Sequence, residues 1–431
     1  MDLMVYREFE GTYQIVGRLS NETGKTIFSY ADSYMNLSTA QPISVTLPLS
    51  DGPFSPEATA AFFDGIVPEG SLRRDIAEIA RVDRRDYLAI LNQVRNEPIG
   101  ALLFSDNEDI SQLEMSYEEL PSGKVSELAA VPARASLDMT LESRISLAGA
   151  QSKVGLYHDG TDASKGWFLP KGGAPSTHIV KACSDAFPDA TLCEALCMRA
   201  AYHMELASEQ CFLVKTGASP LLAVQRYDRV CDENDTRRVN GLKVPRRLHQ
   251  EDMCQALGIG SLFKYEPTSA NYLNMMASIL TSFVSDPLGD RFMLAYYQLF
   301  DFVVGNCDNH LKNWSILYDV NWCGAALAPL YDVVGTTIYP QLSREMGVSF
   351  GGNRVIDDVS AALVRDRLAS IGVSRVMAKG IASDVCAELL SALRRAAEEL
   401  SSEGFPQVNS VLEEMLPGVK QRLAVLEDAC E

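Results

Sequence analysis

A chain of 431 residues, 47% hydrophobic and 22% charged, has ample material for buried cores and exceeds the size at which one core keeps growing, so two or three subdomains are expected. Its 57 acidic against 38 basic side chains give a formal charge of −19, which repels phosphate backbones at long range and disfavours direct nucleic-acid binding. Met1 to Glu10 carries no signal-like apolar run and no later stretch reaches membrane-spanning length, so a cytoplasmic protein with no membrane partner is expected.

Ten cysteines are scattered along the chain, some inside apolar helical patterns such as Cys193 and Cys197, as buried free thiols usually are. No pair has CxxC spacing, and His158, His178, His203, His249 and His310 lie far apart. Neither disulfides nor a structural metal is expected.

In chain order, short β patterns come first: Tyr13 to Arg18, Thr26 to Tyr30 and Ile43 to Leu47, separated by Gly, Asn and Asp turn signals. Phe62, Phe63, Ile66, Ile76 and Ile79 then recur at helical spacing, Tyr87 to Val94 adds a further apolar face, and Gly100 to Phe104 reads as a strand. The acidic stretch from Ser105 to about Gly123 reads as a surface connection. From Ile145 the β pattern returns, with Gly155 to Tyr157, Gly166 to Pro170, His178 to Cys183, Cys211 to Lys215 and Leu221 to Arg226, interrupted by an amphipathic helix from Ala190 to His203. Past His249 the pattern is helical at Met253 to Leu257, Tyr272 to Phe283 and Arg291 to Val304. The β-like runs Trp314 to Val320 and Ala325 to Leu330 follow, and Val359 to Glu431 is helical with breaks at Ser401 to Gly404 and at Pro417. These elements divide into an α+β subdomain at 1–105, a connecting segment at 106–140, a β-rich part at 141–245 and a helical lobe at 246–431.

The polar residues concentrate around the last two β-like runs. Phosphoryl transfer needs metal ions held by carboxylate and amide oxygens, cations on the phosphates, and one base near the attacking hydroxyl. In protein kinases an Asp base precedes a magnesium-binding Asn by five residues, and a second Asp follows on a later turn. Here Asp308 and Asn313 stand five apart in the loop 305–313, and Asp332 closes the run Ala328-Pro329-Leu330-Tyr331. Lys312 would neutralise a transferring phosphoryl group. Spacing alone favours a polar turn, because Asp, Asn and His favour turns for local reasons.

The wider pattern resembles the HipA family of bacterial toxin kinases. The resemblance is carried by Asn306-x-Asp308-x-His310-x-Lys312-Asn313 followed by Pro329-Leu330-Tyr331-Asp332. It extends to Ser146-Leu147-Ala148-Gly149-Ala150-Gln151-Ser152-Lys153, similar to the family's phosphate loop, and to Thr177-His178-Ile179-Val180-Lys181, similar to its ATP-lysine strand. His249-Gln250-Glu251-Asp252 resembles its helix-initiating motif, and Phe63-Asp64-Gly65-Ile66-Val67-Pro68-Glu69-Gly70 its N-terminal subdomain. The motifs keep the family order from about residue 60 to 335.

The resemblance implies an α+β, protein-kinase-like bilobal fold with Mg-ATP in the cleft. Asp308 would be the base, with Lys312 beside it, and Asn313 and Asp332 would hold Mg2+. Ala148, Gly149, Ala150, Gln151, Ser152, Lys153, Lys181 and His310 would meet the nucleotide, with Gln225, Arg226 and Tyr227 at the adenine. Glu194 would orient Lys181, although a solvated helix face explains a glutamate there as well. Gln225 and Tyr227 depart from the family's usual Glu and Phe, which leaves backbone contacts to adenine intact. Without the resemblance, the Gly149 segment reads first as a small-residue turn, and Lys181 also as an edge lysine reaching out of a strand.

Ser146 matches the serine on which such kinases autophosphorylate. The implied activity is serine/threonine phosphorylation of a translation component such as an aminoacyl-tRNA synthetase, by the toxin of a toxin–antitoxin pair. The implied partner is a small helix-turn-helix antitoxin, HipB-like, through which DNA would be met only indirectly. A small-molecule kinase and a non-catalytic nucleotide-binding co-repressor are the alternatives.

Overall fold

The computed structural model describes residues 1–9, 12–22, 24–110, 113–145, 147, 151–160, 162–217, 219–231, 236–351 and 354–430. The chain forms two compact units, and neither is a continuous segment. The first contains Met1–Ala186, Phe212–Ser261 and Leu317–Gly324; the second contains Phe187–Cys211, Leu262–Ile316 and Ala325–Glu431. The subdomain expected at 1–105 and the β-rich part therefore share one unit. The helix Ala190–His203, expected within the β-rich part, belongs to the other.

The first unit carries two sheets. In the smaller one, β1 (Asp2–Phe9), β2 (Thr12–Glu22), β3 (Lys25–Tyr30) and β4 (Leu102–Ser105) stand in the order β3-β2-β1-β4. The first strand escaped the sequence reading because the charged residues Asp2, Arg7 and Glu8 blur the alternation, whereas Leu3, Val5, Tyr6 and Arg7 are buried. Ile43 to Leu47, expected as a strand, forms only an isolated bridge between Ser44 and Leu47. An aromatic core closes over this sheet, with Phe28 and Phe63 rings 5.2 Å apart. The helix Pro56–Phe63 supplies Phe63, starting at Ser55, whose hydroxyl accepts the Ala58 N–H at 3.1 Å, with Pro56 at a position that needs no donor.

The larger sheet is built from β5 (Met115–Glu119), β6 (Lys153–His158), β7 (Trp167–Gly172), β8 (His178–Lys181), β9 (Cys211–Val214) and β10 (Leu221–Gln225), in the order β5-β7-β6-β8-β10-β9. Its edge strand β5 lies inside the acidic stretch expected to be a surface connection. The end of that stretch and its continuation fold into the helices Ser122–Ala130 and Pro132–Ser143. Only Tyr117 of β5 is buried, so the strand shows too little apolar alternation to be read from the sequence. The two helices set Val125, Leu128, Ala135 and Met139 against Val154, Leu156, Val180 and Ala223 of the sheet. Each such fully buried Leu or Val contributes roughly 1.5–3 kcal/mol.

The motif His249-Gln250-Glu251-Asp252 fastens distant parts of this unit together. A His249 ring nitrogen bonds the Ile43 carbonyl at 2.8 Å, and the Glu251 carboxylate accepts from Ser44 Oγ at 2.6 Å, from Val45 N–H at 3.0 Å and from the Tyr318 hydroxyl. Asp252 caps the helix Met253–Leu257 in a capping box with Gln255, as a helix-initiating motif should.

The second unit is mainly helical. Ala190–His203 is buried almost all round and packs against Arg375–Ser402 and Val408–Cys430, as expected of a core helix. Arg199 grips Glu403 through both carboxylate oxygens at 2.5 and 2.9 Å. The helix Val408–Cys430 runs through Pro417, where a break was expected; the chain turns between Ser402 and Val408, as expected, and also between the helices Ala361–Ser370 and Arg375–Ser402. Among the described residues no helix is long and apolar enough to cross a membrane.

Candidate active site

The loop 305–313 begins where the helix Pro287–Val304 is forced to stop. Gly305 adopts φ +84°, and a Cβ there would lie 2.2 Å from Thr337 Oγ1 and 2.6 Å from Arg422 Nη2, so only glycine fits. Beneath the loop lies Asp301, fully buried, whose carboxyl burial pushes up to about 7 against the pull of hydrogen bonds from Asn306 and Asn309. Asn306 Nδ2 donates to Asp301 Oδ1 at 2.9 Å, and Asn306 Oδ1 accepts the Asp308 N–H at 3.0 Å. Asn309 pairs through both ends of its amide with the backbone of Val348, at 3.1 and 3.2 Å.

The result is a loop whose residues from Gly305 to Lys312 are buried except Asp308, which alone among them is exposed. A carboxylate presented to solvent by a fixed backbone is what proton abstraction from an incoming hydroxyl requires. The Asp308 carboxylate accepts a hydrogen bond from Tyr265 Oη at 2.5 Å. Its carbonyl accepts from His310 N–H at 2.8 Å and from Asn313 Nδ2 at 2.8 Å. That bond fixes the Asn313 amide and leaves its oxygen, the atom a metal would use, outside the contact.

The turn bearing Asp332 is tied to this loop through its neighbour. Tyr331 Oη donates to the Lys312 carbonyl at 2.9 Å, so the Ser315 hydroxyl, 2.7 Å away, must donate to it. On its other side Leu330 bonds Ala207 and Glu209 through its N–H and carbonyl, at 2.8 and 3.1 Å. Asp332 adopts φ +56°, a left-handed conformation costing a non-glycine residue on the order of 1 kcal/mol, and such strain gathers at functional positions. Among the described residues no cluster of three or more His, Cys, Asp or Glu side chains stands together. One amide oxygen and one carboxylate form a donor set suited to magnesium, which keeps several waters and takes further ligands from substrate phosphates.

In the first unit, Lys153 and Lys181 are direct partners across β6 and β8, and both are buried. Direct partners share a face, and alternation puts that face opposite the one formed by Val154, Val180 and Ala223, alongside Gly155, Ile179, Leu222 and Val224. Two buried lysines side by side on one sheet face repel each other, and an anionic group lying against them would offset that repulsion. Gln151 leads into this strand and its Nε2 donates to the Ala182 carbonyl at 3.3 Å, while Ser152 accepts the Ala182 N–H through its own carbonyl at 3.0 Å. Ser146, Ala148, Gly149 and Ala150 lie outside the described residues.

Gln225 ends β10 opposite His178, with its side chain exposed. Arg226 has its side chain engaged inside the protein. Its guanidinium bonds Glu97 at 2.7 Å and Asp228 at 2.8 and 2.9 Å, its N–H bonds the Thr177 carbonyl, and its carbonyl accepts the Arg229 N–H. Glu97 also takes Arg229 through Nε and Nη2, at 2.8 and 2.5 Å. All four charged side chains are at most 5% exposed, so they neutralise one another inside the protein. Burial alone would raise the Asp228 carboxyl, but Arg226 and Arg229 hold it well below the usual carboxylate range. The Tyr227 hydroxyl donates to the Gln250 side chain. Glu194 is buried in the second unit, on the helix Ala190–His203.

Sequence reasoning missed Tyr265, Asp301 and the Glu97 network. A carboxylate inside the apolar run of Pro287–Val304 was a readable signal for Asp301. Tyr265 carries none, since only the fold brings it to Asp308.

Fold and site define an α+β protein of the kinase-like type, with its base and metal-ligand candidates on one clamped loop and turn. Residues 145–393 match the HipA-like C-terminal domain and residues 12–105 the HipA N-terminal domain. Y4mE of Sinorhizobium fredii strain NGR234, named as a candidate kinase, is 33% identical over 356 residues, covering 81% of each chain. The serine/threonine-protein kinase toxin HipA of Shewanella oneidensis is 24% identical over 319 residues, 72% of this chain and 70% of that one. A chain of the solved complex of Shewanella oneidensis HipA, HipB and operator DNA shares the fold, with a TM-score of 0.78 and 20% identity over 99% of both chains. The chain belongs to the HipA family and is a kinase of that type.

Proposed function

We propose that this kinase transfers the γ-phosphoryl group of Mg-ATP to a serine or threonine hydroxyl of a protein, as the toxin of a toxin–antitoxin pair. The observation that carries the reading is the loop 305–313, which holds one exposed carboxylate, Asp308, between buried neighbours and bonds its carbonyl to the Asn313 amide. Asp308 accepts the hydroxyl proton as the new oxygen–phosphorus bond forms and the bond to ADP breaks. Asn313 and Asp332 hold magnesium, which supplies charge neutralisation on the phosphates when bound. Lys153 and Lys181, with Gln151 and Ser152, bind the phosphates, and Lys312 and His310 flank the base and the metal ligand. The segment from Gln225 to Tyr227 borders the adenine, with the Arg226 guanidinium holding that segment in place.

A translation component such as an aminoacyl-tRNA synthetase is the substrate class, and Ser146 the site of self-phosphorylation. The partner is a small helix-turn-helix antitoxin, through which an acidic kinase reaches DNA indirectly; Shewanella oneidensis HipA was solved in a complex with HipB and operator DNA. Incubating the purified chain and Asp308→Asn with labelled Mg-ATP and a bacterial lysate tests the reading. Label on one or more proteins, absent with Asp308→Asn while nucleotide binding persists, is the expected result. Label confined to small molecules would replace it with a small-molecule kinase, and no label would leave a nucleotide-binding co-repressor.

A further inference from the structure

Among the described residues, one side chain donates a hydrogen bond to the Asp308 carboxylate. Tyr265 Oη donates to Asp308 Oδ1 at 2.5 Å, and its ring stands edge-on to His310 with centroids 5.0 Å apart and planes at 86°. Tyr265 is 47% exposed, so burial does not hold it there.

Two roles fit a phenol on a catalytic carboxylate, and they predict opposite signs. As a gate, the Tyr265 hydroxyl occupies the place of the acceptor hydroxyl and must leave before transfer. As a positioning group, it fixes one carboxylate oxygen so that the other faces the acceptor. The backbone around Tyr265 decides between them. The Lys264 carbonyl accepts the Leu311 N–H at 3.1 Å, binding this segment to the catalytic loop itself. On the other side the Glu266 N–H donates to Gly347 O at 2.8 Å, its carboxylate accepts the Ser349 N–H at 2.7 Å, and its carbonyl accepts Arg354 Nη1 at 2.7 Å. Moving the backbone around Tyr265 as a lid would break these bonds together, and each buried one left unmade is costly. The segment is therefore part of the frame of the loop.

We propose that Tyr265 is a positioning residue for phosphoryl transfer, holding Asp308 by Oδ1 so that Oδ2 receives the acceptor proton. The proposal rests on Asp308 being the base. An exposed aspartate otherwise divides its time among side-chain rotamers, few of which aim an oxygen at the acceptor.

Tyr265→Phe keeps the ring against His310 and removes only the hydroxyl. The full chain is assayed with labelled Mg-ATP and a degenerate serine/threonine peptide pool, beside Asp308→Asn, with affinity for Mg-AMP-PNP measured calorimetrically. The expected outcome is a kcat lowered on the order of 10- to 100-fold, with peptide KM and AMP-PNP affinity within about twofold of the parent and an unchanged melting temperature. An unchanged kcat overturns the proposal, and a raised kcat establishes the gate in its place. Parallel losses in kcat, nucleotide affinity and melting temperature overturn it in favour of a purely structural role. A parent chain showing no transfer that Asp308→Asn abolishes overturns the base assignment and the proposal together.

Discussion

Lys153 and Lys181 stand directly opposite one another on β6 and β8, buried on the sheet face turned away from the helices Ser122–Ala130 and Pro132–Ser143. Like charges so placed oppose each other unless anionic groups lie against them, and a triphosphate tail is such a group. Lys153→Met and Lys181→Met are each expected to weaken Mg-AMP-PNP binding by about tenfold or more, the loss of one charge-assisted contact to phosphate. Titration calorimetry checks this, and unchanged affinity in either variant removes that lysine from the phosphate site.

Glu97 lies in the stretch matching the HipA N-terminal domain, yet its carboxylate accepts from Arg226 and Arg229, far along the chain. Removing one partner from a balanced buried cluster leaves an uncompensated charge, at a cost of roughly 3–5 kcal/mol. Glu97→Ala should lower the unfolding free energy by about that amount in urea titration. A loss under about 1 kcal/mol would mean that water reaches the cluster and screens it.

Gly305→Ala tests the start of the loop 305–313. With φ +84° and a Cβ aimed at Thr337 and Arg422, the substitution strains the backbone and pushes on the helix Val408–Cys430. A melting temperature lowered by several degrees, corresponding to roughly 1–3 kcal/mol, is expected. Transfer should fall more steeply than nucleotide binding, because the displaced residues precede Asp308 and not the lysines.

Stability should also carry a pH signature from Glu251. Burial raises its carboxyl to about 7 from an ordinary 4.5, so the folded protein holds a proton there that the unfolded chain has released. Stability from this group is therefore lost as pH rises from about 4.5 to 7. His178 and His249, pushed down by burial to about 3 and about 4, act in the opposite sense, since the unfolded chain takes up their protons below about 6.5. Comparison of the parent with Glu251→Gln by urea unfolding at pH 5.5 and 8.0 isolates the carboxyl. Relative to the parent, the variant should gain on the order of 2 kcal/mol between the two pH values, and equal pH slopes would show that Glu251 ionises normally in the fold.

The Asp308-to-Asn313 spacing, the Pro329-to-Asp332 run and the lysine in an apolar strand were legible as letters because each is local. A loop, a turn and a strand are short-range objects, and phosphoryl transfer uses few residue types. The strand Met115–Glu119 was not legible, because an edge strand buries only Tyr117 and looks like acidic linker. The motif around His249 was recognised as a helix start, but its bonds to Ile43, Ser44 and Val45 were not, since those partners lie some two hundred residues away.

By itself, then, the order of residues determined the family and supplied the candidates: one for a base, two oxygen donors for a metal, and cations for phosphate. Tertiary structure decided which of the remaining polar groups matter. Arg226 became half of a buried ion pair with Glu97, and Tyr265, with no motif around it, came to rest on Asp308. Periodicity reports which face a residue turns inward, whereas the partner it meets there depends on how separate elements pack, and no local pattern encodes that distance.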